Sequence, residues 1–325
     1  MIYTLTFSPA IDYILELENI EVGKINRAKK EVMLPGGKGI NVSIVLSNLG
    51  RKSIATGFLG GFTGDFIENE LNKMNIDSKF IRVEGNTRIN VKIRGREETA
   101  INGRGPIITN EKIDELVNYL SQLNEDDLLI ISGLVPSNLP INIYDLILSK
   151  INKDVKLVVD SEKDVLLSTL KYHPLLVKPN KEELEEVFNK KINTFDELVL
   201  YARKLKEQGA LNVIVSLGED GALLVTENND VIKVSSPGKG NKVINTVGSG
   251  DSVVAGFVDE YYRSGNVIKA FKWGVACGSS KAYSLGFPTI DEVKELFNEI
   301  KWLKKWYCKY HAFILYWIIS QNMVK

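Results

Sequence analysis

The residue types best suited to chemistry stand together late in the chain, as Gly248, Ser249, Gly250 and Asp251. An apolar periodic run, VVAGFVDEYY, follows and predicts a helix. Glycine lets a backbone approach a ligand closely, and a helix N-terminus offers unpaired N–H groups to a phosphate. Asp251 could be only an N-cap, but an N-cap needs no flanking glycines. The segment therefore indicates phosphoryl transfer, with residues 247–250 as an anion site and Asp251 as the base that deprotonates a hydroxyl.

Other polar or glycine-rich stretches directly follow apolar strands. Each alone is more often a plain turn than a site. Because the carboxyl ends of parallel strands meet at one edge of a sheet, six such stretches together predict a binding edge. They are GGKGIN (36–41), ISGLVPS (131–137), VVDSEKD (158–164), VKPNKEE (177–183), VSLGEDG (215–221) and NTVGSGD (245–251).

The elements that must position these stretches form a regular alternation. Short apolar runs such as DLLIISG, VKLVVD and NVIVSLG are separated by helical segments, which is typical of a parallel sheet covered on both faces. GALLVT and DVIKVSS predict a late hairpin. Alternating segments near 11–38 and 80–103, in which ETAIN pairs with RINVKI, predict a small extra sheet. We expect one α/β domain over residues 1–300.

Composition excludes several classes of function. Lys+Arg and Asp+Glu balance at 41 each, so no basic field favours a nucleic-acid partner. Two cysteines, Cys277 and Cys308, and two histidines argue against a disulfide framework or a metal cage and fit a reducing cytoplasm. Residues 1–20 lack a basic start followed by an apolar stretch, so we expect no signal peptide. The sequence contains no GxxxxGK[ST] and no GxGxxG, so any nucleotide must be held without these two motifs.

The last segment, residues 301–325, is rich in aromatic residues. Its apolar run AFILYWII is far shorter than the roughly 20 residues that a spanning helix needs. We expect no membrane span. We interpret the segment as a tail packed on the domain or loosely ordered, with an amphipathic membrane contact as the alternative.

Three motifs in family order carry a resemblance: GGKGIN, KPNKEEL and NTVGSGDS. Together they resemble the PfkB/ribokinase family of carbohydrate kinases. FSPAID (7–12), TRINVKI (87–93) and VSLGEDGA (215–222) look like its phosphosugar-kinase branch, which contains 1-phosphofructokinase and tagatose-6-phosphate kinase. The similarity extends from residue 1 to about residue 300. It implies a ribokinase-like three-layer α/β/α fold with a mostly parallel central sheet and a small β-sheet lid.

The resemblance also implies roles for individual residues. Asp251 would be the general base, beside an anion hole from Gly248, Ser249 and Gly250. The acceptor would be bound by six residues, with Asp12 in a loop after the first strand and Arg88 on the acceptor's existing phosphate: Asp12, Gly36, Gly37, Lys38, Asn41 and Arg88. Lys92 is a weaker candidate for the phosphate.

On the nucleotide side, the resemblance implies binding of ATP with Mg²⁺. Asn180 and Glu183 match the family's NxxE element, which holds Mg²⁺ through water, and positions three apart share a helix face. The residues implied in nucleotide binding are Lys178, Asn180, Glu183, Ser216, Gly218 and Gly221.

The expected activity is ATP-dependent phosphorylation of fructose 1-phosphate at its C6 hydroxyl. Tagatose 6-phosphate is the alternative acceptor within the class. The residues also leave open a catalytically weak sugar-phosphate sensor and a nucleoside kinase. One departure from the family is Leu134, where a small hydroxyl residue is usual, although Ser132 or Ser137 could replace the lost contact. The resemblance further implies a homodimer formed through the lid.

Overall fold

The computed structural model describes residues 1–133, 135–136, 139–140, 142–238 and 240–306. Fourteen strands are found within these ranges: β1 (Ile2–Thr6), β2 (Ala10–Glu16), β3 (Lys30–Gly36), β4 (Ile54–Leu59), β5 (Asp77–Arg82), β6 (Arg88–Arg94), β7 (Glu98–Asn102), β8 (Leu128–Ser132), β9 (Lys156–Asp160), β10 (Leu176–Val177), β11 (Val213–Ser216), β12 (Ala222–Val225), β13 (Val231–Val234) and β14 (Trp302–Trp306). The same ranges contain ten α-helices: α1 (Lys38–Asn48), α2 (Gly61–Lys73), α3 (Asn110–Leu120), α4 (Ile143–Leu148), α5 (Lys163–Thr169), α6 (Lys181–Phe188), α7 (Phe195–Glu207), α8 (Ser249–Ser264), α9 (Val267–Ala282) and α10 (Ile290–Glu299).

The central sheet has ten strands in the order β14-β13-β12-β11-β10-β9-β8-β1-β4-β5. Seven neighbouring strands of this sheet pair in parallel: β11, β10, β9, β8, β1, β4 and β5. Strands β12, β13 and β14 continue the sheet in antiparallel pairs. The predicted late hairpin is therefore β12–β13. The prediction of a mostly parallel sheet is confirmed.

Helices cover both faces of this sheet, because its central strands are apolar on both sides. In β8, Leu129 and Ile131 face one core, which also contains side chains of α3 to α7. Leu128 and Ile130 face the other core, with α1, α8, α9 and α10. This alternation along one buried strand produces the predicted three layers.

Helix α8 is held firmly, which matters because its first turn carries the predicted base. It is buried at every position from 251 to 260. Gly256 lets α9 approach closely, since a Cβ there would lie 2.5 Å from Sγ of Cys277. Asp259, which is fully buried, pairs with Nε of Arg51 at 3.0 Å. The helix therefore has little freedom to shift against the sheet.

The small sheet has the order β3-β2-β6-β7. Strands β2 and β6 pair in parallel, while β2–β3 and β6–β7 are antiparallel. The predicted pairing of ETAIN with RINVKI is confirmed as β7 with β6. The second predicted segment begins earlier than the small sheet does, since Asp77–Arg82 forms β5 of the central sheet. We call this four-stranded sheet the lid.

The end of the described chain adds an edge strand. Residues Trp302–Trp306 form β14, which pairs with β13 in antiparallel fashion. The first residues of the predicted tail are thus part of the central sheet, beyond the predicted domain boundary at residue 300. The run AFILYWII lies outside the described residues. Within the described ranges, no helix is long and apolar enough to cross a membrane.

Candidate active site

The carboxyl ends of the parallel strands and the underside of the lid enclose a cavity of about 570 Å³. Twelve of the predicted site residues line it: Asp12, Gly37, Lys38, Asn41, Arg88, Lys178, Asn180, Glu183, Ser216, Gly248, Gly250 and Asp251. A second cavity of about 590 Å³ contains Gly218, Gly221 and Ser249. The two cavities share Asn180, Ser216 and Gly250, so they meet at the start of α8.

Asp251 lies in the first turn of α8 and is only 5% exposed. Its Oδ2 accepts a hydrogen bond from Nδ2 of Asn41 at 2.8 Å. Asn41 is in the first turn of α1, which begins directly after Gly37. Two helix N-termini, distant in sequence, therefore meet at this carboxylate. Such a buried and oriented carboxylate can accept a proton from a substrate hydroxyl.

The pKa of Asp251 is raised from its usual 3.8 to about 6. Burial is the main cause, and the negative charge of Asp160 adds to it. The hydrogen bond from Asn41 and the charges of Lys38 and Lys178 act in the opposite direction. A carboxylate with this pKa is ionised at neutral pH but is a stronger base than an exposed aspartate.

Asp160 is a candidate functional residue that sequence reasoning missed. It ends β9, is 2% exposed, and lies 3.1 Å from Nζ of Lys178 and 3.7 Å from Nζ of Lys38. It thus holds two lysines at the cavity and raises the pKa of Asp251. Its stretch, VVDSEKD, was among the six predicted to reach this edge, and its position as the first polar residue after an apolar strand was the available signal.

Backbone amides at the start of α8 are the candidate anion site. Gly248 adopts the left-handed conformation, with φ of 84°, just before the helix. The N–H groups of Val247 and Ser249 are already bound, to Oδ1 of Asn245 and to the carbonyl of Thr246. Two of the four predicted amides, those of Val247 and Ser249, are therefore not free to bind an anion. The amides of Gly250 and Asp251 precede the first hydrogen bond within the helix, from Ser252 to Gly248, and have no acceptor among the described residues.

The Oγ of Ser249 is buried without a hydrogen-bond partner among the described residues. Ser249 lines the second cavity. A buried hydroxyl without a partner is costly, so this atom is suited to a ligand that enters this cavity.

The lid supplies Asp12, which lies in β2 and not in the loop where we predicted it. Strand β2 begins at Ala10, soon after β1 ends, so the predicted loop is too short to include Asp12. Its two carboxylate oxygens accept hydrogen bonds from Asn90 at 3.2 Å and from Lys92 at 2.7 Å. Lys92, the weaker candidate for the phosphate, therefore already forms an ion pair with Asp12.

The two predicted glycines of GGKGIN allow close packing around Asp12 and β1. A Cβ on Gly36 would lie 2.9 Å from Cγ of Asp12. Gly37 has φ of 120°, and a Cβ there would meet the Thr6 side chain at 2.9 Å. Gly37 requires glycine because of its positive φ, whereas a side chain on Gly36 would displace the Asp12 carboxylate. Gly36 does not line the cavity and acts on it only through Asp12.

Arg88 is the first residue of β6 and is partly buried at the cavity. Its Nη2 donates a hydrogen bond to the carbonyl of Ser8 at 3.1 Å. Its Nε is buried and finds no partner within the described residues. Burial lowers the pKa of Arg88, and the nearby Asp12 opposes that change. A partly desolvated guanidinium with a free donor is well suited to an anionic substrate group.

Asn180 and Glu183 are joined more closely than the sequence predicted. Asn180 is the N-cap of α6, and the two residues form a capping box. The amide of Asn180 donates to Oε2 of Glu183, and the amide of Glu183 donates to Oδ1 of Asn180, both at 2.7 Å. The pair therefore has a structural role as well as a place in the cavity lining.

The second cavity is bounded by the loop after β11 and by α8 and α9. Ser216 ends β11, and its amide donates to the carbonyl of Pro179 at 3.1 Å. Gly221 has φ of 86°, and a Cβ there would lie 2.1 Å from the carbonyl oxygen of Val234. Apolar side chains such as Val253 form the opposite wall. The shape suits a flat ring between a glycine-rich loop and an apolar helix face.

Part of the acceptor side lies outside the described residues. Leu134 and Ser137, which bear on the predicted departure from the family, belong to that part. Ser132, by contrast, lines the cavity, and its Oγ is buried without a partner within the described chain. A hydroxyl is thus available there.

Comparison with known proteins agrees with this geometry. The chain matches the pfkB family of carbohydrate kinases over residues 5–287. It is 41% identical to 1-phosphofructokinase of Bacillus subtilis over 302 residues, which is 93% of this chain and 99% of that protein. It is 37% identical to D-tagatose-1-phosphate kinase of Bacillus licheniformis, over 93% of this chain and 99% of that protein.

A solved structure agrees in fold. Phosphofructokinase-2 of Escherichia coli, in complex with fructose-6-phosphate, superposes with a TM-score of 0.84 at 27% identity, over 91% of this chain and 98% of that one. The family match covers most of the chain and includes both cavities with Asp251 between them. The chain therefore belongs to the pfkB family of carbohydrate kinases and is a sugar kinase, a phosphotransferase with an alcohol group as acceptor.

Proposed function

We propose that this kinase transfers the γ-phosphoryl group of ATP to the C6 hydroxyl of fructose 1-phosphate. The products are fructose 1,6-bisphosphate, ADP and a proton. The observation that carries the proposal is the position of Asp251, a buried carboxylate where the lid-covered cavity meets the second cavity. The acceptor occupies the cavity under the lid, and ATP occupies the second cavity.

Asp251 accepts the proton of the C6 hydroxyl as that oxygen attacks the γ-phosphorus. The bond from this phosphorus to the oxygen of ADP breaks in the same displacement. Asn41 holds Oδ2 of Asp251 in one orientation. General-base catalysis of this kind contributes about 10²–10⁴-fold to the rate.

The amides of Gly250 and Asp251 receive the charge that develops on the transferred group. Lys178 supports them: its Nζ lies 3.2 Å from the position that a Cβ on Gly250 would take. Lys178 is 4% exposed and held by Asp160. Preorganised donors in a site without bulk water stabilise such charge strongly.

The residues near the phosphates suit Mg²⁺. The described residues contain no group of three His, Cys, Asp or Glu side chains that could enclose a metal. Mg²⁺ usually keeps several waters and is bound by one or two carboxylates plus the phosphates, which fits Asn180 and Glu183. When bound, Mg²⁺ would neutralise charge on the phosphates of ATP. Glu183 would hold the ion through water by its Oε1, since its Oε2 is used in the capping box.

The lid recognises the acceptor. Asp12 accepts from sugar hydroxyls, and Arg88 donates to the phosphate that the sugar already carries. The lid also excludes water from the reacting groups, which otherwise would hydrolyse ATP. A sensor without catalysis is disfavoured because a buried carboxylate, Asp251, and two lysines, Lys38 and Lys178, line the same cavity.

A tagatose phosphate is the second candidate acceptor. One relative is named for tagatose 1-phosphate, and the sequence motifs resemble tagatose-6-phosphate kinase as well. The acceptors differ in stereochemistry or in which end carries the phosphate, and Arg88 must reach that end.

A coupled assay of ADP release tests the proposal. The acceptors are fructose 1-phosphate, tagatose 1-phosphate, tagatose 6-phosphate, fructose 6-phosphate and adenosine. We expect the highest kcat/KM with fructose 1-phosphate. A higher value with any other acceptor contradicts the assignment of substrate, and no ADP release with any of them contradicts the assignment of activity.

The lid also supports a homodimer. Strand β7 is an edge strand that is exposed along its length, and Met33, Leu34 and Ile101 are exposed apolar side chains of the lid. Exposed edges of this kind tend to pair, so the partner is a second copy of this chain. Light scattering should give twice the monomer mass. Ile101→Lys should lower it, whereas Ile107→Lys, outside the lid strands, should not. Monomers at all concentrations would contradict this part.

The balanced composition and the two cysteines support action in a reducing cytoplasm, where ATP and phosphosugars are present.

A further inference from the structure

Lys281, in the last turn of α9, is a buried cation that the proposed reaction does not use. It is 3% exposed. Other deeply buried charged groups have ionic partners: Lys178 pairs with Asp160, and Asp259 pairs with Arg51. Within the described residues, no carboxylate lies within ion-pair distance of Lys281. An unpaired buried charge is destabilising, so this lysine calls for a functional explanation.

Its contacts are with carbonyl and aromatic groups. The Nζ donates a hydrogen bond to the carbonyl of Ser284 at 3.3 Å and lies 5.8 Å from the ring centre of Phe287. The carbonyls at the end of a helix carry partial negative charge, which favours a cation there. Burial lowers the pKa of Lys281, and the positive charges of Arg94 and Lys92 on the lid act in the same direction. The ammonium thus lies in the turn after α9 and is repelled by two cations of the lid.

The same end of α9 holds the loop that leads into α8. The amides of Ile244 and Asn245 both donate to the carbonyl of Ala282, at 2.8 Å and 3.1 Å. Lys281 itself lies beside Gly248, because its Cε is 3.7 Å from where a Cβ on Gly248 would be. The lysine side chain therefore lies next to the turn that precedes the amides of Gly250 and Asp251.

We propose that Lys281 is a positioning residue whose ammonium acts as an internal cation. It binds the carbonyl of Ser284 in the turn after α9, beside the end of the helix that holds Ile244 and Asn245, and so keeps residues 243–248 docked and the amides of Gly250 and Asp251 aimed at the transferred phosphoryl group. This inference rests on the proposed function, in which those amides receive that group. It predicts that a small free cation can replace the side chain.

The variant Lys281→Met removes the charge and keeps most of the volume. We expect kcat to fall by up to about 100-fold, as small misplacements of catalytic groups can do. KM for ATP and for fructose 1-phosphate should change by less than about threefold, because ground-state contacts are retained. Ammonium chloride should restore part of the lost kcat, and tetramethylammonium chloride at the same ionic strength should not, because that ion is too large for the space.

The matched control is Lys272→Met on the same helix, whose lysine contacts Phe297 and Trp302 away from both cavities. We expect it to keep the wild-type kcat and to show no response to ammonium. Lys281→Gln is a second neutral variant, which can still donate to Ser284, and it should behave like Lys281→Met.

Two outcomes would overturn the inference. A neutral variant with lowered Tm but unchanged kcat would make Lys281 a stabilising residue only, and so would neutral variants that do not fold even with ammonium present. Loss of kcat that ammonium and tetramethylammonium restore equally, or that neither restores, would contradict the internal-cation role. A failure of the proposed function would appear differently, as a wild-type enzyme that releases no ADP with fructose 1-phosphate.

Discussion

Asn41 donates a hydrogen bond to Asp251 over 2.8 Å and thereby joins the first turns of α1 and α8. The bond favours the ionised carboxylate, while burial and Asp160 favour the protonated form. The pKa of about 6 is the balance of these opposing effects, so it can be moved in either direction by single substitutions.

Asp251→Asn should lower kcat by about 10²–10⁴-fold, because asparagine keeps the shape but cannot accept the proton. The fold should not be weakened. Since folding raises the pKa of Asp251, its stabilising effect is fully present below pH 3.8 and is lost as the pH rises through about 6. At neutral pH the variant should therefore have a Tm equal to or above that of the wild type, with ATP binding retained by calorimetry. Near-normal kcat would contradict the role of base.

Asn41→Ala should move the acid limb of the kcat profile upward. In the proposed mechanism turnover requires ionised Asp251, so wild-type kcat should fall as the pH drops through about 6. Without the donated hydrogen bond, the pKa of Asp251 rises and the fall begins at a higher pH. A profile of kcat against pH measures this, and an unchanged acid limb would mean that the bond does not affect the reacting state.

Asp160→Asn should move the same limb downward. The substitution removes a neighbouring negative charge and leaves the positive charges of Lys38 and Lys178 free to act on Asp251. Asp154→Asn, on the exposed turn before the same strand, is the control and should leave the profile in place. A shift to higher pH would contradict the electrostatic account.

Arg88→Ala should raise KM for fructose 1-phosphate strongly and KM for ATP little, because a charged contact to the sugar's phosphate is lost. Unphosphorylated fructose should be almost indifferent to the change. Arg96→Ala, on the exposed turn of the lid, is the control. Equal losses with fructose and fructose 1-phosphate would show that Arg88 acts through its bond to Ser8 and not on phosphate.

Ending the chain at residue 306 should leave kcat/KM unchanged, because every candidate site residue lies between Asp12 and Lys281. Ending it at Lys301 removes β14 and exposes the edge of β13. That shorter chain should have a lower Tm and scatter more light, while kcat of the folded fraction is retained. If the chain ending at 306 loses activity, residues 307–325 contribute to the fold or to a subunit contact.

Elements with strong apolar periodicity were predictable from the sequence. The runs that became β8, β9 and β11 are buried on both faces, and such strands cannot alternate, so their continuous apolar character identified the parallel sheet. Asp251 could be predicted because its neighbouring glycines and the helix after it are local features. The family resemblance added Arg88, which local chemistry alone would have left as a solvated strand residue.

What could not be predicted depends on contacts between distant segments. Asp160 gained its role only when β9 and β10 brought it to Lys178. The amides of Val247 and Ser249 are hydrogen-bonded within their own loop, so fewer amides are left for an anion than expected. The amino-acid sequence of the loop does not show which of its amides are already bonded. The capping box of Asn180 and Glu183 was within reach, since an N-cap residue followed by Glu three positions later is its known signature.

The lid pairs at its base through Ala10, which lies opposite both Gly36 and Arg88. Glu16, at the far end of the same strand, is roughly 20 Å further along. In a rotation of the lid about this base, displacement grows with distance from the axis, and the proposed acceptor-binding residues Asp12 and Arg88 lie close to it. A rotation that swings the tip of the lid clear of the cavity therefore moves Asp12 and Arg88 only slightly. An opening of this kind would admit solvent and exchange ligands while leaving the proposed acceptor-binding surface nearly intact.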